Sequence, residues 1–403
     1  MSLPQLHSAT SLAWRIAFFY SAIFIVLGVS LPYFPLWLKS QGLTAFEIGL
    51  VTSVPLFIRI VATPMIGVAA DRAQSVRQIV LLTATAALVA GIALAVGDGV
   101  WFILVFFTLF QVASMAMMPL AEVAAMQAVR ERGVDYGRMR LWGSVAFIAA
   151  NVVGGLAIAA YGNSTILTIV IIGSALALTA GFWLPGRSGE VTPRKALTWQ
   201  DGRAALARHG LLVVMLAGGV TQASHAVYYA FSAIHWQAQG IDGRWFGILW
   251  AVGVVAEVVL FAYAGRVLKR IGAIWMIGIG AAGGVVRWGL MAADPSFGML
   301  IVLQLLHGLT FGATHLGTVH AIQERVAPDQ AASAQALHSA LSSGILMGLS
   351  TMLAGSLYGN FQGVSFLALM AMSGVGLALV GWLAVRPGPA ADQPHSSGEG
   401  GAR

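Results

Sequence analysis

The chain has 403 residues, of which 58% are hydrophobic and 9% charged, far below the roughly one-quarter charged residues of soluble domains, so a water-soluble globular protein is excluded. The formal net charge is +7, but the basic residues are spread through the connections between apolar segments rather than clustered, which argues against nucleic acid as a partner. No cysteine is present, which removes disulfides and thiolate metal sites.

Apolar segments long enough to cross a hydrocarbon core of roughly 30 Å at about 1.5 Å per residue recur along the chain. They predict helices at 12–38, 46–70, 76–96, 100–128, 138–160, 164–184, 209–236, 245–268, 273–292, 297–322, 332–358 and 362–385. The expected fold class is therefore an all-α membrane protein with twelve transmembrane helices in two six-helix repeats. The halves are 1–185 and 209–386, joined by a polar linker at 186–208 and followed by a Gly/Ser/Pro-rich tail at 387–403. The tail lacks apolar periodicity and is expected to be disordered. The first segment is too long for a signal peptide and precedes no small-residue cleavage pattern. With the N-terminus inside, residues such as Arg72, Arg77, Arg130, Arg132, Arg266 and Lys269 fall on the cytoplasmic side and only Lys39 and Arg244 outside. That asymmetry is the positive-inside rule, and it predicts that both termini are cytoplasmic.

In the second predicted helix, PLFIRIVATP (55–64) carries Arg59 in an apolar run with no acid within ten residues. Such a charge costs about 2.5–3.5 kcal/mol on insertion scales, so it is expected to face a bundle interior, lining a cavity or held in an ion pair. Glu122 and Arg140 lie symmetrically about the turn near 130–133, which predicts a salt bridge between antiparallel neighbours. The fifth helix carries Arg140, Ser144, Phe147 and Asn151 on one face, and the seventh carries Gln222, His225, Tyr229, Ser232 and Trp236. The eighth contains Glu257. Arg287 and His307 are symmetric about Asp294-Pro295 and are expected to meet, while Gln304, His307, Phe311, His315 and Thr318 form a stripe on the tenth. Three polar faces of this kind predict a wet cavity with aromatic walls.

SQGLTAFEIGL (40–50) aligns with AQGIDGRWFGIL (238–249) at a constant offset of 198, which pairs Gly42 with Gly240, Gly49 with Gly247 and Arg59 with Glu257. Each half thus places one ionisable residue at the same depth of its second helix, with opposite sign. Repeated halves of this kind bind substrate between them near the midplane.

GVAADRAQSVR (67–77) resembles the loop signature of the major facilitator superfamily, with Gln74 where that signature has glycine, and the resemblance implies a gating role for Asp71 and Arg72. DYGRMRLWGSVAF (135–147), TQASHAVYYAFSAIHWQAQG (221–240), GVVAEVVLF (253–261) and GVVRWGLM (284–291) resemble the 3-phenylpropionate/proton symporter branch. That branch is similar to lactose permease, whose charged residues match Glu122, Arg140, Glu257, Arg287 and His307. Thr310 stands where the permease has its proton-carrying glutamate.

The resemblance implies a secondary transporter of the bacterial inner membrane that moves a small organic anion, such as an aromatic carboxylate, together with a proton. Substrate contacts are expected from Arg140, Arg59, Phe147, Asn151, Gln222, His225, Tyr229, Trp236 and His307, with Arg140 as the carboxylate anchor. Proton coupling is expected from Glu122, Glu257, Arg287 and His307. A sugar or nucleoside symporter is the alternative. Static salt bridges are the plainer reading of the buried charges, and hydrogen-bonded core residues of the histidines. An intramembrane zinc hydrolase is disfavoured, because no HExxH pairing exists. No Walker loop is present, so the energy source is expected to be the proton gradient, with no cofactor or metal, in a monomer surrounded by lipid.

Overall fold

The computed structural model describes residues 3–73, 75–186 and 210–385. The predicted linker, apart from Gly186, and the predicted tail lie outside the described residues. Regular structure among the described residues is helical throughout. The first half contains α1 (Leu3–Ser40), α2 (Ala45–Arg72), α3 (Val76–Val96), α4 (Val100–Arg132), α5 (Tyr136–Tyr161) and α6 (Ser164–Phe182). The second contains α7 (Leu211–Ala238), α8 (Gly243–Ala262), α9 (Ala273–Met291), α10 (Phe297–Gln323), α11 (331–361) and α12 (Phe366–Val385).

Eleven helical runs are long and apolar enough to span a membrane, and the last of these covers 55 residues, Ala331–Val385. A 3₁₀ turn at Gln362–Ser365, entered through Gln362 at φ 46°, divides it into α11 and α12. Twelve crossings result among the described residues. The predicted eighth span, 245–268, is shorter than expected. It stops at Ala262, and a separate amphipathic helix, Ala264–Ile271, carries Arg266, Lys269 and Arg270 away from the apolar layer. The predicted start of the last span at 362 likewise moves to Phe366.

The repeat is visible in the backbone. Gly42 and Gly240 both adopt positive φ, 83° and 79°, in the turns that leave α1 and α7, a conformation glycine reaches without Cβ strain. The two residues that follow in register, Thr44 and Asp242, each cap the next helix by accepting a backbone N–H. At the exposed α8 cap, hydrogen bonds from Arg244 pull the Asp242 carboxyl down to about 2.

The alternation of helices puts Arg72, Arg77, Arg130, Arg132, Lys269 and Arg325 on one side, here called the basic side, and Lys39 and Arg244 on the far side. The halves meet through α2 against α11 and α5 against α8. Glycines permit this approach. A Cβ on Gly49 would lie 2.8 Å from Gly355 Cα, and one on Gly247 would lie 2.0 Å from the Asn151 carbonyl oxygen. Gly49 and Gly247, equivalent in the repeat, therefore close the far side symmetrically, while the gap between the halves widens toward the basic side.

Candidate functional site

Two cavities lie between the halves. The central one, of roughly 390 Å³, is bounded by α1, α2 and α4 on one side and by α7, α10 and α11 on the other. The second, of roughly 510 Å³, continues along α1, α2, α4 and α11 toward the basic side. They share Ser30, Arg59, Gln111, Met115, Ser339 and Ser343, so Arg59 stands at their junction.

Among the described residues, Arg59 is the only Arg, Lys, Asp or Glu on the wall of either cavity. Its Nη2 donates to the Ser343 carbonyl oxygen at 2.8 Å, across the boundary between the halves. Its Nη1 meets the thioether of Met115 at 3.1 Å, a weak acceptor. Among the described residues no carboxylate pairs with it. Ser343 belongs to a π-helical segment, Ala340–Leu346. A second such segment, Gly308–Ala313, gives the Phe311 carbonyl to Gln222 Nε2 at 3.1 Å. Widened turns of this kind occur at functional sites, and each here lends a main-chain acceptor to a cavity side chain.

The polar stripe of α7 divides between two surroundings. Gln222 and Tyr229 line the central cavity together with Phe311 and His315 of α10. His225 turns instead to a buried network around Arg287, which is 0% exposed. Arg287 Nη2 donates to Gln304 Oε1 at 2.8 Å, and Nη1 donates to Thr310 Oγ1 at 3.0 Å and meets His307 Nδ1 at 3.2 Å. Its guanidinium lies 4.8 Å from the Tyr228 ring centroid and 4.6 Å from that of Trp288, and both contacts favour a desolvated cation. The Arg287–His307 contact is the one expected from their symmetry about the turn.

Hydrogen-bond directions in this network follow from the chemistry of its members. Guanidinium only donates, so His307 Nδ1 accepts, and a neutral imidazole then carries its proton on Nε2. That nitrogen faces Glu257 Oε2 at 3.8 Å. Thr310 accepts from Arg287 and donates to His225 Nε2 at 3.1 Å, while His225 Nδ1 donates to the Gln222 carbonyl at 3.0 Å. Thr310, Gln304 and Tyr228 thus hold the buried cation without any acid of their own.

Glu122 and Arg140 meet as expected, with Nε–Oε1 at 3.5 Å and side chains 33% and 29% exposed. Tyr136 donates to the other Glu122 oxygen at 2.8 Å, and the Arg140 guanidinium packs 4.4 Å from the Phe24 ring centroid. Arg140 lines neither cavity, and neither does Glu257.

Three expected substrate contacts sit elsewhere. Trp236 is 0% exposed and packs against Tyr228 and Phe246. Phe147 lies edge-on to Phe24. Asn151 is buried where α5 meets α1 and α8, its carbonyl accepting from Tyr33 at 2.6 Å. Helix-to-helix packing covers all three. Asp71 and Arg72 form the last turn of α2, and Arg72 lines neither cavity. What the sequence reading missed is α11: Gln335, His338, Ser339, Ser342 and Ser343 all line the central cavity, on one helix face at i, i+3, i+4, i+7 and i+8.

A twelve-helix bundle of two repeated halves, closed at one face and hollow at mid-depth, defines a multi-pass membrane transporter. The model of the MFS_1 like family matches residues 13–368, and the chain belongs to that family. It is 32% identical over 365 residues to the probable 3-phenylpropionic acid transporter of Escherichia coli (strain K12), covering 88% of this chain and 94% of that one. It is 27% identical to the maltose permease of Geobacillus stearothermophilus, covering 93% and 95% of the two chains. Its fold is similar to the nucleoside transporter NupG, with a TM-score of 0.79, 16% identity and coverage of 93% and 98%. It is also similar to a bacterial homologue of the lysosomal transporter Spinster, with a TM-score of 0.75, 16% identity and coverage of 97% and 100%.

Proposed function

We propose that the protein is a proton-coupled symporter that imports a small aromatic carboxylate, of the phenylpropionate type for which its Escherichia coli relative is named. In this reading it acts as a monomer in a bacterial inner membrane, with both termini in the cytoplasm, and the proton gradient supplies the energy without a cofactor. The observation that carries the reading is Arg59: the one fixed charge on either cavity wall among the described residues has no carboxylate partner, and one of its terminal nitrogens faces only a thioether. A guanidinium presents two parallel donors to a carboxylate. Phe311 on the same wall, extended by the stacked ring of His315, offers flat surface for a ring.

Substrate carboxylate would replace Met115 and the Ser343 carbonyl as the partner of Arg59. The proton would be carried by Glu257, because Arg287 holds His307 in the tautomer that aims Nε2–H at that carboxylate. Glu122 and Arg140 would form a second pair, toward the basic side, that adjusts when the halves move. A sugar or nucleoside symporter is the competing reading, favoured by Gln111, Gln222 and the serines of the same wall.

Proteoliposomes with an imposed pH gradient separate these readings. Accumulation of 3-phenylpropionate against its gradient, with its amide neither bound nor moved, is the expected result. Equal binding of the neutral amide would favour the sugar-type reading.

A further inference from the structure

Resting on Arg59 as the carboxylate anchor, we propose that His338 and His315 form a second recognition point at the other end of the substrate, selecting an aromatic acid that carries a hydrogen-bonding group, such as a hydroxyl, on the far edge of its ring. Both histidines line the central cavity. They lie on the antiparallel helices α10 and α11, symmetric about the turn at Val326, and so at equal depth. His315 stacks on Phe311, with ring centroids 6.0 Å apart and planes 11° apart, and therefore continues the aromatic wall.

His338 is 8% exposed, and its Nδ1 is sealed from solvent without a hydrogen-bond partner. A buried polar nitrogen left unpaired is costly. A half-turn about the soft Cβ–Cγ bond would exchange that nitrogen with Cδ2 and offer it to a ligand. Gln335 does not compete for it, because its Nε2 is committed to the Val319 carbonyl at 2.9 Å, and among the described residues no carboxylate lines the cavity. The titratable and charged groups on the surrounding wall are Arg59 from α2, Tyr229 from α7 and His315 from α10.

Spacing sets the kind of ligand. His338 precedes Ser343, whose carbonyl holds Arg59, by five positions on one helix, which is at most about 7.5 Å along the axis at the α-helical rise and less where 340–343 is π-helical. That separation matches the distance from the carboxylate of an arylpropionate to the para position of its ring. The serines between these two positions, Ser339 and Ser342, also line the cavity. The acid then sits at mid-depth on Arg59, with the ring running toward the basic side along α11 and its far edge at the histidine pair.

Binding of 3-phenylpropionate and its para-hydroxy and para-methyl derivatives to the purified full-length protein tests this. Hydroxyl and methyl are of similar size, so their ratio isolates the hydrogen bond. The hydroxy acid should bind about tenfold more tightly than the methyl acid. His338→Phe should bring that ratio to within about twofold, His338→Gln, which keeps a donor and an acceptor, should retain a preference, and Arg59→Lys should weaken both ligands while leaving the ratio alone. Equal affinities in the unaltered protein, or an unchanged ratio in His338→Phe, overturn the second recognition point and leave the carboxylate anchor standing. Absence of binding by all three acids overturns both.

Discussion

Arg59 of the first half and Ser343 of the second are joined by a hydrogen bond of 2.8 Å between a guanidinium nitrogen and a main-chain oxygen. The bond crosses the boundary along which the halves separate, and its donor stands where the two cavities meet. A half-buried cation with so neutral a partner has capacity to spare. The other terminal nitrogen points at Met115 Sδ, and a thioether accepts weakly. Met115→Leu should therefore change the affinity for aromatic acid by less than about threefold, since little hydrogen-bond energy is lost. Titration of the purified variant checks this, and a loss of about a hundredfold would mean that the Arg59–Met115 contact is itself part of the site.

The proposed proton carrier is Glu257, which His307 Nε2 faces at 3.8 Å. Glu257→Gln should abolish uphill uptake driven by a pH gradient while sparing exchange of labelled for unlabelled substrate. Glu122→Gln should keep uphill uptake, because Glu122 is tied to Arg140 and Tyr136. Uptake by both variants in proteoliposomes measures the difference, and uphill accumulation by Glu257→Gln sinks the assignment.

Thr310 joins Arg287 to His225 in the buried network. Thr310→Val removes the hydroxyl that serves Arg287 and His225 at once, leaving His225 Nε2 unpaired in a sealed site. The folded state should lose about 1–3 kcal/mol. Thermal unfolding in detergent, followed by tryptophan fluorescence, reads this directly. An unshifted transition would show that the network tolerates the vacancy.

The far-side closure depends on Gly247 having no side chain, since a Cβ there would sit 2.0 Å from the Asn151 carbonyl oxygen. Gly247→Ala should therefore favour a state open on the far side and slow transport. The chain has no cysteine, so a single cysteine at Thr52, on the central cavity wall, can report it. An impermeant thiol reagent applied from the far side should label Thr52→Cys faster when Gly247→Ala is also present. Equal labelling rates contradict the proposed closure.

Helix count, repeat and the positions of the buried charges were legible because each has a local signature: an apolar run, a constant offset, an ionisable residue inside hydrocarbon. Glu122 with Arg140 and Arg287 with His307 were found because symmetry about a short turn fixes equal depth on antiparallel neighbours. Arg59 was legible as a charge, but its partner was not, because a main-chain oxygen released by a π-helical turn leaves no mark in side-chain chemistry. Trp236, Phe147 and Asn151 show the limit of periodicity. It finds the polar face of a helix, and cannot tell which stretch of that face opens on a cavity and which is covered by a neighbouring helix. The cavity face of α11 was hidden for the opposite reason, since serines among alanines and leucines read as ordinary small residues for helix packing.

The central claim is that Arg59, and not Arg140, anchors the substrate carboxylate. Arg140 already holds Glu122 and packs on Phe24, whereas among the described residues no acid faces Arg59 in the cavity. Titrating 3-phenylpropionate into purified Arg59→Lys and Arg140→Lys measures the difference, because lysine keeps the charge and loses the two-pronged donor. Affinity should fall at least about tenfold in Arg59→Lys, equivalent to about 1.4 kcal/mol, and change by less than about threefold in Arg140→Lys. Unchanged affinity in Arg59→Lys beside a large loss in Arg140→Lys would contradict the account and return the anchor to α5.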